Sequence, residues 1–386
     1  MAADRRVVVV GAGVLGLFTA FELVRDGGSR VTVLDRAHPG AGSSGRSVGM
    51  VETQYLNRPR VEVLAWGRDR YAELEADHGL GFVHGGYLRL GRTDDDTAAF
   101  ERSVAYQRDA AITDADVLSA AEIAARWPHL RTDDVACGLF GAWDGHVDGA
   151  GVTALLAGLV RAAGGDVRPR TAVLGADRAG AGWRLDTSEG PVGADVVVNA
   201  AGPWAGVVGD LLGAPVPLLP QLHGALTVAA PGLPSTPFVM DYRPGSGTDG
   251  VYLRSDQAGG LVAGLHTDEV LDEPVAPDVA LGDLAPGVVE RVVTALAGRL
   301  RGADDLAVTG SWTGLYPMTP DHEPVVGPHP DAPGVVCALG AGGSGIQLSP
   351  AVGRVAADAV AGLPARFAQT ADWAPARFAA AGRSGS

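Results

Sequence analysis

Arg6 to Val10 (RVVVV) is a β-branched run with no polar interruption, the pattern of a short strand covered on both faces. Gly11 to Gly16 (GAGVLG) follow, then apolar positions at helical spacing from Leu17 to Arg25, then a second strand, Arg30 to Asp35 (RVTVLD). This order predicts one βαβ unit. Helical spacing returns at about 58–78 and 118–127, around the strand-like, glycine-broken GFVHGGYLRLG at 81–91.

From Gly149 the pattern resembles the first unit again. It runs through helix GVTALLAGLVRAAGG, strands DVRPRTAVLGADRA and GWRLDTSEG, and ADVVVNAAGPWA, a buried strand leading into glycine and a helix. Residues 216–312 are Pro-rich and strand-like, with QLHGALTVAA, GVYLRSD, GGLVAGLHT and LAVTGSWTGLY. GVVCALG at 334–340 and SPAVGRVAADAVAGL at 349–363 add a last strand and helix. The α/β pieces therefore enclose β-rich insertions, and no repeat of solenoid period is present. The expected fold class is α/β, a Rossmann-type nucleotide domain (1–80, 145–215 and 325–386) interleaved with a β-rich α+β domain (81–144 and 216–324), without a flexible linker. The acidic run Asp94 to Asp96 reads as a solvated loop.

With 386 residues the chain can bury a large core in two packed domains. A net charge of −15 leaves no basic stripe for nucleic acid or an anionic membrane surface. All 30 basic residues are arginine, so no lysine can form a Schiff base or place an ammonium group in a site. Cys137 and Cys337 lie far apart, outside any metal or disulfide pattern, which suits reduced thiols and a cytoplasmic location. The start, MAADRRVVVVGAGVLGLFTAFELV, has the outline of a signal peptide or membrane span. Its three turn glycines and Glu22 favour a buried strand and packed helix instead.

GAGVLG matches the dinucleotide fingerprint in its required place between strand and helix. Gly11 permits the tight turn, Gly13, beside Val14 and Leu15, lets a pyrophosphate approach the backbone, and Gly16 permits close packing. Asp35, ending the second strand, is spaced to accept hydrogen bonds from a ribose. A second match, GAGGSG at Gly340 to Gly345, has no later strand ending in an acid, so it reads as backbone approaching another part of the same cofactor.

Together, GAGVLG, LDR, GSSGR, NAAGPWA, GLYPMTPDHEPVVG and GAGGSGIQLSPAVG resemble the D-amino acid oxidase superfamily, nearest the sarcosine oxidase, glycine oxidase and D-arginine dehydrogenase types. The resemblance runs from Val7 to about Gly362. It implies FAD extended in the α/β domain, with substrate between the flavin and the β-rich domain. Besides the fingerprint residues, it places Arg36, Ser43, Ser44, Arg46, Ser47, Val173, Ala201, Gly202, Trp204 and Gly314 along the cofactor. Gly342, Gly343, Ser344, Gly345, Ile346 and Gln347 would lie at the flavin's pyrimidine edge, where backbone dipoles favour the anionic reduced form.

The sequence departs from these relatives at telling positions. Gly314 stands where some bond the flavin through cysteine, which implies non-covalent FAD. Glu52 and Gln347 replace the arginine and lysine that grip a substrate carboxylate, and Tyr316 replaces a glycine-oxidase arginine. Val262 replaces a lysine that promotes reaction with oxygen, which implies slower reoxidation than in a dedicated oxidase, with oxygen or another electron acceptor taking the electrons. Glu52 is then expected either to meet a cationic or hydrogen-bond-donating substrate group, with Tyr55, Tyr252, Tyr316 and Gln347 shaping the pocket, or to pair with Arg46 or Arg254. Arg254 is the best remaining carboxylate grip, and His266, ahead of His223, is the histidine near the flavin. The implied reaction oxidises a C–N bond of an amine or amino acid by hydride transfer to flavin N5, giving an imine, with a specialised metabolite as one substrate class. The alternatives are oxidation of a hydroxy acid or alcohol, and an electron-transfer subunit of a larger complex.

Overall fold

The computed structural model describes residues 5–243, 247–256, 259–266 and 274–378. Arg5–Val10 is the centre of a six-stranded sheet. Parallel to it on one side run Ser29–Leu34 and Asp166–Arg168, and on the other Val196–Asn199 and Val335–Leu339, with Val325–Pro328 antiparallel at the edge. Val7, Val9, Val197 and Val198 are fully buried, as expected for strands covered on both faces. The helices Val14–Asp26 and Gly345–Ala361 pack together over one face, and Gly353 lets their backbones meet against Phe18.

The β-rich part is an eight-stranded mixed sheet: Ala307–Met318, Leu219–Ala229, Gly260–His266, Gly250–Ser255, Phe238–Asp241, Tyr87–Gly91, Cys137–Gly141 and Ala115–Ser119. Its two faces differ. One buries Leu88, Leu90, Val239, Val251 and Leu253 against Val292 and Leu296 of the helix Pro286–Arg299. The other carries the stacked rings of Tyr87, Phe238 and Tyr252. Cys137 and Cys337 are both buried free thiols. Among the described residues, no helix is long and apolar enough to cross a membrane.

Three expectations change. Asp94 to Asp96 form not a loop but the first turn of the helix Asp94–Asp109. Thr93 and Asp96 make a capping box there, and the three acids face the positive helix end. Helix Pro286–Arg299 interrupts the stretch read as strands, with Pro286 at its first turn. The long strand expected at 166–179 splits into Asp166–Arg168 and Val173–Ala179, which belong to different sheets.

Candidate functional site: an elongated cavity with a buried polar end

The glycine turn shapes one end of a cavity of about 700 Å³ that extends to the eight-stranded sheet. Gly11 has φ +109°, and a side chain there would overlap the Ala200 carbonyl. Gly13 is the N-cap of the first helix, and Gly13, Val14 and Leu15 bring that helix N-terminus to the cavity wall, where the Val14 N–H donates to Ser44 Oγ at 3.0 Å. Gly16 stays out of the lining and instead lets the helix close on Gly11 and Ala200. Asp35 lines the cavity and braces the turn by accepting from the N–H groups of Ala12 and Ala37, each at 2.8 Å.

Further along, Ser43, Ser44, Arg46 and Ser47 line one wall, and Val173, Ala201, Gly202 and Trp204 another. Ser43 Oγ donates to the Leu315 carbonyl at 2.6 Å, pinning the opening loop to the β-rich sheet. Arg46 turns to the Ala41 and Gly42 carbonyls rather than to Glu52. At the mouth, Arg36 lies 4.7 Å over the Trp204 ring, and Asp278 accepts from both Arg36 (2.7 Å) and Trp204 (2.9 Å).

The opposite end is bounded by Gly314, Tyr316, Gly342, Gly343, Gly345 and Ile346, with Tyr252 and His223 on the sheet. A side chain at Gly343 would run into the Tyr316 ring, so glycine there lets backbone and ring pack directly. His223 stacks on Tyr316 at 3.9 Å, and burial, helped by His266, pulls it down to about 4. It is neutral near pH 7 and does not add a positive charge to the cavity. His266 does not line the cavity; it is exposed at its strand end, edge-on to Tyr242 at 4.2 Å.

Beyond Gly343 to Ile346 lies a buried polar group outside the cavity lining. Gly49, at φ +77°, turns the chain against Val147, and Met50–Val51 pairs with Gly145–Val147, which delivers Glu52 to the interior with 1% exposure. Glu52 Oε2 accepts from the Gln54 N–H, while Oε1 lies 3.9 Å from an Arg89 guanidinium nitrogen. Glu52 thus pairs with Arg89, not with Arg46 or Arg254 as expected. Arg254 donates to the Val48 and Ser255 carbonyls beside Asp256 and does not line the cavity. Burial pushes the Glu52 carboxyl up, against Arg89, the Gln54 N–H, Gln347 and Arg60, which favour its charged form.

Gln347 Nε2 donates to Tyr55 Oη at 3.3 Å, and Tyr55 Oη is 3.4 Å from Ser344 Oγ, which ties this group to the glycine segment at the cavity wall. Asp144 is fully buried nearby, held by Gln54 Nε2 and Thr53, and burial followed by the Glu52 charge pushes it up to about 7. Thr53 also donates to Gln107, and Ser103 to the Tyr55 carbonyl, so the unforeseen helix Asp94–Asp109 supports the site. Glu52 Oε1, Gln54 Oε1, Tyr87 Oη, Arg89 Nε and Gln347 Oε1 have no hydrogen-bond partner among the described residues. Such unpaired buried atoms are uncommon in a folded protein, and these five lie on residues outside the cavity lining. Arg89 and Asp144 were not foreseen; the one available signal was a lone charge inside the apolar strand YLRLG.

The cavity suits an extended dinucleotide: close backbone at Gly11 and Gly13, a helix N-terminus for phosphates, and an acid at the adenosine end. Comparison with known proteins agrees. The family model "DAO: FAD dependent oxidoreductase" matches residues 6–359. Glycine oxidase of Geobacillus kaustophilus (strain HTA426) is 27% identical over 377 residues, covering 92% of each chain. Mitochondrial sarcosine dehydrogenase of Homo sapiens is 28% identical over 362 residues, covering 90% of this chain but only 39% of that longer protein. Among solved structures, glycine oxidase from Geobacillus kaustophilus superposes with a TM-score of 0.79 at 25% identity, covering 96% of this chain and 98% of that one. L-proline dehydrogenase from P. horikoshii gives 0.87 at 23% identity, covering 99% of each chain. The chain belongs to the FAD dependent oxidoreductase family, and FAD is the cofactor for which its cavity is built.

Proposed function

We propose that the protein oxidises the C–N bond of an amine or amino acid, with FAD held non-covalently in the cavity. The observation that carries this reading is the continuity of the cavity from the glycine turn to Tyr252, Tyr316 and Gly343, with the unsatisfied polar atoms around Glu52 just beyond. Named relatives that act on glycine, sarcosine and proline support the substrate class. On this reading, residues 1–80, 145–215 and 325–386 form the FAD-binding domain, 81–144 and 216–324 form the substrate domain, and the substrate pocket lies between them. FAD, when bound, accepts the hydride from the carbon next to nitrogen.

The protein's own residues orient and deprotonate. Tyr252 and Tyr316 confine the reacting end, and burial keeps both hydroxyls protonated, so they serve as walls and hydrogen-bond donors. Glu52, with its raised affinity for a proton, takes one from the ammonium form of the substrate and leaves the neutral amine that can lose hydride. Loss of hydride from carbon and of the remaining N–H proton leaves an imine, which water hydrolyses to a carbonyl compound and an amine or ammonia.

Gly314 offers no nucleophile for a covalent flavin link, and buried Val262 offers no cation to speed reaction with oxygen, so an acceptor other than oxygen is favoured. Anaerobic single turnover followed by mass spectrometry tests the reaction type. A carbonyl product with the nitrogen released, one equivalent per flavin reduced, supports it. A product that keeps its nitrogen while an alcohol becomes a carbonyl would replace it with C–O oxidation.

A further inference from the structure

Strand register decides what faces the cavity at its sheet end. In the antiparallel pair Leu219–Ala229 and Ala307–Met318, His223 lies opposite Gly314 and Gln221 opposite Tyr316. Directly paired residues share a face of a sheet, so His223 and Tyr316 stand on one face as diagonal neighbours, and their rings stack at 3.9 Å with 16° between the planes. Both line the cavity. The residue directly across from His223 is a glycine, so no side chain from that position covers the imidazole.

Other polar side chains of this wall have backbone partners. Ser43 donates to the Leu315 carbonyl, Trp312 Nε1 to the Arg46 carbonyl at 2.8 Å, and Tyr252 to the Gly224 carbonyl at 3.4 Å. Arg46 donates to the Ala41 and Gly42 carbonyls, and Ser47 Oγ accepts from the Gly49 N–H at 3.0 Å. The His223 ring nitrogens have no hydrogen-bond partner among the described residues. The Tyr316 hydroxyl is likewise open, but burial holds it protonated, as a donor. A neutral imidazole carries a lone pair on one ring nitrogen, so His223 presents this wall's uncharged acceptor.

An amine about to lose hydride from the neighbouring carbon must keep its nitrogen lone pair free. A donor aimed at the nitrogen would occupy that pair. An acceptor aimed at the N–H leaves it free, and its hydrogen bond strengthens as positive charge develops on nitrogen. We infer that His223 orients the substrate by accepting a hydrogen bond from the N–H of the neutral amine, and so selects primary and secondary amines over tertiary ones, which have no N–H once deprotonated. This rests on the amine-oxidising reading above and extends it to the substitution of the nitrogen.

The test is anaerobic mixing of the FAD-loaded protein with amines matched except for the N–H: sarcosine with N,N-dimethylglycine, and pyrrolidine with N-methylpyrrolidine. Perturbation of the visible flavin band reads binding, and its bleaching reads the limiting rate per bound flavin. In the unsubstituted protein the secondary amine of at least one pair should reduce the flavin about tenfold faster than its tertiary partner, or more. His223→Phe keeps a ring against Tyr316 without an acceptor. It should slow that secondary amine about tenfold and leave the tertiary one within about twofold. His223→Gln restores an acceptor and should recover part of the loss, and flavin content should show that both variants fold and hold cofactor. Equal slowing of secondary and tertiary amines, or loss of flavin from both variants, would overturn the inference and assign His223 to the cofactor or to the stack alone. Absence of any flavin response to all four probes would instead count against the amine-oxidising reading and remove this inference with it.

Discussion

The dinucleotide end of the cavity and the buried polar group beyond its other end are built by different means. At the dinucleotide end the contacts come from backbone: Gly11 at φ +109°, a helix N-terminus after Gly13, and Asp35 bracing the turn through two N–H groups. One contiguous segment supplies them, and their chemistry depends little on side-chain identity beyond the glycines. Beyond the other end the polar group is assembled from Glu52, Arg89, Asp144 and Gln347, four separated positions brought together through their side chains. Backbone-built sites tolerate drift around them and keep one ligand. Side-chain-built sites can change ligand by a few substitutions.

If that contrast is right, substitution in the two regions should fail differently. The largest effect belongs to Gly11→Val, whose side chain would overlap the Ala200 carbonyl in a backbone conformation suited to glycine. The variant should purify without flavin yet keep its far-UV circular dichroism; normal flavin content would break the comparison at its firmer end. Next is Glu52→Gln, which should load FAD normally but reduce flavin about a hundredfold more slowly at pH 7. The deficit should shrink as pH rises and less of the substrate amine carries a proton to be removed. Stopped-flow reduction across pH checks this, and a deficit independent of pH would argue for a structural role.

A smaller effect is expected on stability. Asp144 is pushed up to about 7 from 3.8, so the folded form holds its proton while the unfolded chain has released it. Its contribution is therefore complete below about 4 and is lost as pH rises toward 7. Asp144→Asn removes this dependence, and its melting temperature relative to the unsubstituted protein should rise between pH 4 and 7 by about 5 °C, then level off. A constant difference would mean that Asp144 is already ionised in the fold. The smallest effect is at the mouth, where Asp278→Ala removes the acceptor shared by Arg36 and Trp204. Because both charged groups are largely exposed, FAD release should quicken only about threefold, as read by flavin fluorescence after dilution.

The same contrast explains what could be read in the sequence. GAGVLG and Asp35 encode geometry locally, in glycines and spacing, so the nucleotide end was legible from one segment. The helix Asp94–Asp109 was hidden because its opening acids look like surface charge; Thr93 three residues before Asp96 was the overlooked cap. Pro286 was likewise a usable helix start inside a proline-rich stretch. Beyond the far end Glu52 could be identified as an anomaly, but its partner could not. Nothing along the chain links Glu52 to YLRLG, or shows that Arg254 donates to the Val48 carbonyl, because strand order and burial decide both.

The most direct measurement is anaerobic bleaching of the bound flavin by amino acids beside the same amines without a carboxylate. Stoichiometric bleaching by an amine or amino acid is expected, since the cavity runs from the dinucleotide turn to the pocket walls Tyr252 and Tyr316. Bleaching by alcohols or hydroxy acids but by no amine would contradict the proposed reaction.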